Sequence, residues 1–234
     1  MINLFNTYLY QPILAVLVFI YDNIAFNDLG LSIILLTFFV RIILFPLFYK
    51  GAKDQSLMQR LQPHIQKIQL DHKADKERQA QALLELYKKH RLNPFSGFLL
   101  LLVQLPILIA LYQVLLKELG SSAFMSHSFF GILDLSSKSL ALAVIAALLQ
   151  YFLGRMSMVA SRPAYPQERQ TVFASPAKIT MYMAPAFTFI ILLNFPSALG
   201  LYWSASTLFS LFQQVIINKK LPKPEHDRGF DSKN

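Results

Sequence analysis

The sequence predicts an all-α membrane protein, with five transmembrane helices around a hydrophilic intramembrane groove and a cytoplasmic helical hairpin between spans one and two. Three observations carry that expectation. Of the 234 residues, 54% are hydrophobic, above the roughly 45 to 50% of globular chains, and the excess is gathered in blocks. Each block approaches the roughly 20 apolar residues that a hydrocarbon core demands. The net charge of +9 is confined almost entirely to the segments between alternate blocks.

The segment 1–28 has an apolar core at 13–21, bounded by Pro12 and Asp22, that is short for a span. Without a basic flank it does not read as a cleavable signal. It is expected to lie as an interfacial helix on the outer face, with Tyr8, Tyr10, Phe19 and Tyr21 at headgroup level. The first span is placed at 29–50. From 51 to 92 a polar stretch shows helical periodicity, with one stripe at Leu57, Leu61, Ile65 and Ile68 and another at Ala80, Leu83, Leu84 and Tyr87. A turn at 71–75 makes this a helical hairpin, and Pro63 either kinks its first helix or opens that helix's second half. Span two follows at 97–117, an external loop at 118–138 and span three at 139–155. A cytoplasmic loop occupies 156–177. Spans four, 178–195, and five, 198–218, form a tight pair ahead of a basic cytoplasmic tail, 219–234.

Of the 22 lysines and arginines, ten lie in 50–91, four in 155–178 and five in 219–233. Five crossings put all three segments on one side. By the positive-inside rule, the N-terminus is then outside and the C-terminus cytoplasmic. The charge therefore reports topology, and no nucleic acid needs to be read directly. The chain contains no cysteine, so thiol nucleophiles, disulfides and cysteine metal sites are excluded. All five histidines fall in loops, and no HExxH, GxSxG or P-loop pattern is present. An enzyme is not expected, and no cofactor is implied.

Arg41 is the sharpest feature. Ten residues beyond Leu31, where the apolar run of the first span begins, it is costly to bury by about 2.5 to 3.5 kcal/mol on insertion scales. A carboxylate on a neighbouring helix is the usual remedy, yet all thirteen acids lie outside the five apolar spans. Arg41 therefore predicts a hydrated cavity within the membrane. Thr37, one turn away on the same face, Gln104 and Gln150 on spans two and three, and Tyr202, Ser206 and Gln213 on span five supply polar lining.

These features together resemble the YidC family of membrane-protein insertases, which has mitochondrial and chloroplast relatives. Residues 30–47, with Thr37, Arg41 and Pro46, look like that family's first core helix and its groove arginine. Leu61-Gln62-Pro63, Leu86-Tyr87-Lys88-Lys89 and Asn93-Pro94 resemble its cytoplasmic hairpin. Gln104-Leu105-Pro106-Ile107 with Ala110-Leu111-Tyr112 resembles its second core helix, and residues 195–203 with Gln213-Gln214 its last pair of helices. A departure follows Gly97, where Phe98, Leu99 and Leu100 replace the family's Cys-x-Pro. The chain resembles the core domain only, without an anchoring cysteine, an extra N-terminal span or a large periplasmic domain.

The resemblance implies an insertase and chaperone of the bacterial plasma (inner) membrane. It would take polar or acidic segments of nascent membrane proteins into a positively charged groove formed by Arg41, Thr37, Gln104, Gln150, Tyr202, Ser206 and Thr207. The client's hydrophobic helix would then be released into lipid. Ribosome, a Sec-type translocon and anionic lipids are the further partners implied. The competing readings are a small anion transporter or channel with Arg41 as its binding site, and an assembly factor for folded membrane subunits.

Overall fold

The computed structural model describes residues 2–118, 124, 126–158 and 176–220. The cytoplasmic loop expected at 156–177 and the basic tail lie for the most part outside them. Within the described residues the fold is almost wholly helical, with one two-stranded sheet.

The N-terminal segment is longer and more deeply packed than the sequence suggests. Helix α1 (Ile2–Phe5), one wide turn (Asn6–Tyr10) and α2 (Gln11–Asn23) run end to end, with Pro12 in the first turn of α2, where its missing N–H is harmless. Tyr8 and Phe19 are exposed, whereas Tyr10 and Tyr21, expected beside them at headgroup level, are not. Both are buried in the main apolar cluster. The Tyr21 ring meets Phe124 edge to face, and its hydroxyl accepts the Ser126 N–H. A phenol can be buried in this way once its oxygen has a partner.

Helix α3 (Leu29–Ile43) starts at Asp28, whose carboxylate accepts the Leu31 N–H at 2.7 Å. It ends within the expected first span. At Leu44 the chain bends by 74° into α4 (Phe45–Arg60), with Pro46 in its opening turn. The first apolar block is thus a broken helix, and α4 continues well into the stretch assigned to the hairpin. The hairpin proper is α5 (Gln62–Asp71) and α6 (Lys76–Lys89), folded back across residues 72–75. Pro63 opens α5 instead of kinking it. Asp75 caps α6 through the Glu77 and Arg78 N–H groups, while Lys88 and Lys89 face the negative end of its dipole. Leu61, Ile65, Leu86 and Leu92 form the hairpin core, with Leu57, Ile68, Leu83 and Tyr87 against it. Ala80 and Leu84, expected in the second stripe, are exposed.

Helix α7 (Ser96–Glu118) and α8 (Leu140–Met158) are each long and apolar enough to cross a membrane, and the bent α3–α4 pair has that length and apolarity only when its two halves are taken together. Among the described residues, helices α9 (Pro176–Leu192) and α10 (Ser197–Lys220) do not reach that length and apolarity. Among the described residues the apolar run of α9 is Met181–Leu192, and serines, Thr207 and glutamines interrupt α10. Leu102, Leu105 and Ile109 of α7, Ile145, Leu148 and Phe152 of α8, and Met183, Phe187 and Ile190 of α9 all point outward. Faces this apolar fit a hydrocarbon solvent and are not tolerated on monomeric soluble surfaces. Helix α10 is central, packing on α8 and α3, while α8 packs on α9 and α4 on α7.

The loop before α8 holds the short hairpin β1 (Ser128–Phe129) and β2 (Leu133–Asp134), with Gly131 in the left-handed region at its turn. It is tied to both neighbouring helix starts. Asp28 accepts the Phe130 N–H, and Ser197 donates its N–H to Ser137 O and its hydroxyl to Asp134 O. Phe129 sits directly on Gly30, where a Cβ would collide with its ring.

Candidate functional site

The break at Leu44 decides where Arg41 lies. It is in the last turn of α3, beside the bend, and not at the middle of a straight span. Its guanidinium donates from Nε to Ser206 Oγ at 3.0 Å, and Nη2 meets the same oxygen. Below it, the Phe48 ring lies 4.4 Å from Cζ, so the first turns of α4 supply a π face to the cation. Arg41 is half-buried, held by a serine and an aromatic ring as well as by open space.

That space is a cavity of about 660 Å³ between α3, α4, α7, α8, α9 and α10. Arg41, Gln104, Gln150, Tyr202, Ser206 and Thr207 all line it. Gln104 Nε2 donates to the Tyr202 hydroxyl at 2.5 Å, which links α7 to α10 across the cavity head. Thr37 is placed differently. It borders a much smaller void of about 20 Å³, shared with Arg41, Gln104 and Tyr202. Its hydroxyl donates to Ile33 O at 2.6 Å and so is used within its own helix.

Sequence reasoning missed one whole wall. Phe48, Ala52, Gln55 and Gln59 of α4 face the cavity at helical spacing, joined by Gln62 and Asn93. Their signal was present as amides at i, i+4 and i+7 after Pro46, but it lay in the stretch taken for hairpin. Gln213 and Gln214 of α10 close the far end. Gln214 Nε2 donates to Ser56 Oγ at 3.0 Å and to Asn218 Oδ1 at 2.9 Å, and Asn218 donates to Met156 O.

Among the described residues lining the cavity, Arg41 is the sole charged side chain, and the polar remainder is amide, hydroxyl or indole. Nor do the described residues contain a group of three or more His, Asp or Glu able to hold a metal. Chemically, the site offers one fixed cation and many neutral hydrogen-bonding groups of both signs.

A family model described as "60Kd inner membrane protein" matches residues 19–224. The chain belongs to the 60Kd inner membrane protein family. Among curated relatives, it is 35% identical over 218 residues to the protein named "Membrane protein insertase YidC" of Syntrophus aciditrophicus (strain SB), covering 91% of this chain and 37% of that protein. It is 37% identical over 194 residues to the protein of the same name from Francisella tularensis subsp. novicida (strain U112), covering 81% of this chain and 32% of the relative. Among solved structures it resembles "Active YidC insertase crystal structure with the first transmembrane domain resolved", with a TM-score of 0.64 and 27% identity over 89% of this chain and 45% of that one. The chain therefore spans about a third of the length of the curated relatives it matches. Family membership and the outward apolar faces together make it a multi-pass helical membrane protein.

Proposed function

We propose that the chain is an insertase of the bacterial inner membrane, acting by reversible binding without covalent chemistry. The observation that carries this reading is Arg41. Among the described residues it is the lone cation at the head of a cavity of about 660 Å³ whose other described lining groups are neutral. A polar or acidic segment of a nascent membrane protein entering this groove exchanges water for amides and hydroxyls, and its carboxylate meets a fixed positive charge. The low-dielectric path it must cross is shortened, and the attraction stays reversible because the cation is partly hydrated. Arg41, Gln104, Gln150, Tyr202, Ser206 and Thr207 serve as groove lining, and Thr37 supports the α3 wall from behind. The client's apolar helix leaves along the lipid-facing sides of α7 and α10.

In this reading five spans cross the membrane, with α9 and α10 as the last two and the α3–α4 elbow as the first. The N-terminus is outside and the C-terminus inside, as the distribution of basic residues supports. The α5–α6 hairpin then lies in the cytoplasm, where it meets clients. The basic tail is available to a ribosome or to anionic lipid, and a Sec-type translocon is a further partner. Replacing Arg41 with alanine, and separately with lysine, tests the proposal in proteoliposomes using a single-spanning client with an acidic outer tail. Insertion is lost with alanine and kept with lysine. Normal insertion by a folded alanine variant refutes the groove-charge mechanism.

A further inference from the structure

Helix α4 carries a buried acid that the groove mechanism does not use. Asp54 is 5% exposed, and its Oδ2 accepts the hydroxyl of Ser96, itself 6% exposed, at 2.5 Å. Ser96 is the first residue of α7. One turn earlier, Gly51 presses α4 onto the same helix, where a Cβ would stand 2.6 Å from Leu100 Cγ. Two residues beyond Asp54, Ser56 is 1% exposed and accepts from Gln214 of α10 at 3.0 Å. At about 100° per residue, positions 54 and 56 occupy opposite flanks of α4. Gln55 lies between them and faces the cavity with Phe48, Ala52 and Gln59.

Burying a carboxylate beside a hydroxyl is expensive, and an apolar pair of the same size would seal the contact as well or better. A hydrogen bond at that place instead fixes direction and register. From Gln214 the polar chain runs on through the half-buried Asn218 to Met156 O of α8, so α4 is tied to α7 and α10 by buried polar contacts and, through α10, to α8 by part-buried ones. Its upper end carries the ring beneath Arg41 and is hinged at the 74° bend.

We infer that Asp54 and Ser56 are positioning residues that hold α4 as one wall of the cavity, Asp54 against α7 and Ser56 against α10, and thereby set the spacing between α4 and the α8–α10 wall. This deepens the insertase reading and rests on it for its purpose: a client segment reaches Arg41 through the space these two latches define. With both latches made, Gln55 and Gln59 face the client and Phe48 stays under the guanidinium. With either released, α4 rotates about the Leu44 elbow and the wall is no longer fixed.

The chain has no cysteine, so a Gln55→Cys, Ser157→Cys pair places spin labels on opposite walls without background. Double electron–electron resonance in client-free proteoliposomes then reads the α4–α8 distance. Asp54→Ala, Ser96→Ala and Ser56→Ala are each expected to shift the mean outward and widen the distribution. Asp54→Asn, whose amide oxygen still accepts from Ser96, should retain the parental distribution. Combining Asp54→Ala with Ser96→Ala should widen it no further than either alone. Distributions for Asp54→Ala and Ser96→Ala that superimpose on the parent overturn the inference. If Asp54→Ala does not fold, the comparison of Ser96→Ala with Asp54→Asn decides, and equal distributions overturn it as well. Insertion by the parent protein, measured alongside, reports on the insertase reading and not on the latches.

Discussion

Removing the ring beneath Arg41 while keeping apolar bulk isolates the contact that the sequence did not reveal. Phe48→Leu does this, because leucine still fills much of the site but has no π face. Phe48 is 7% exposed, and its centroid lies 4.4 Å from Arg41 Cζ, well inside the roughly 6 Å reach of the interaction. Such contacts range from about 0.5 kcal/mol when exposed to about 2 kcal/mol when desolvated. A ring this buried under a half-buried cation falls in the upper part, about 1 to 1.5 kcal/mol. Phe48→Leu also loses packing, so the pair energy comes from a double-mutant cycle with Arg41→Met, in which the packing change appears on both sides and cancels. Unfolding of the detergent-solubilised protein can be followed by fluorescence of Trp203, the single tryptophan and a cavity-lining residue. A coupling energy below about 0.3 kcal/mol, the usual scatter of independent sites, would refute the argument that Phe48 holds the cation.

Tyr202→Phe leaves the Gln104 amide without its acceptor at the cavity head and should destabilise the fold by about 1 kcal/mol in the same unfolding measurement. Gly30→Ala drives a methyl group into the Phe129 ring and should cost about 1 to 3 kcal/mol, with Phe129→Ala in the same chain recovering part of the loss on thermal melting. Asp134 accepts from the Ser136 hydroxyl at 2.6 Å and N–H at 2.9 Å, which holds its carboxyl below the ordinary carboxylate range. Its contribution to stability is therefore complete above the unfolded value, about pH 4, and is lost as pH falls through the depressed folded value. The difference in melting temperature between the parent and Asp134→Asn should accordingly be constant from pH 7 to about 5 and shrink at lower pH. A difference that grows on acidification would contradict the sign.

The helices were legible where one physical demand acted alone. Long apolar blocks read as α7 and α8 because nothing interrupts them, and the turn expected at 71–75 falls where α5 gives way to α6. The first block failed as a straight span for a local reason. Pro46 is accepted in the opening turn of a new helix, and the three preceding residues are apolar, so composition continues smoothly through a 74° bend. Tyr10 and Tyr21 were misplaced because a tyrosine at a membrane surface and one buried against Phe124 look alike in sequence. Tertiary partners decide between them, and these include Phe124 and Ser126, more than a hundred residues beyond.

The site followed the same logic. An arginine in an apolar block without an available carboxylate is a strong statement about its surroundings, and the polar positions on α7, α8 and α10 fall at the cavity because each interrupts an otherwise apolar helix. Residues on α4 interrupt nothing. Gln55, Ser56 and Gln59 belong to a stretch already polar, so their roles appear only once the elbow at Leu44 turns α4 beneath the arginine. The same bend explains why Arg41 is tolerated. It carries the guanidinium to the edge of its helix, gives it Ser206 on one side and Phe48 on the other, and leaves its remaining donors facing the cavity. A charge satisfied only in part by its own protein keeps affinity for an anion, whereas one closed in a buried ion pair would have little left to offer.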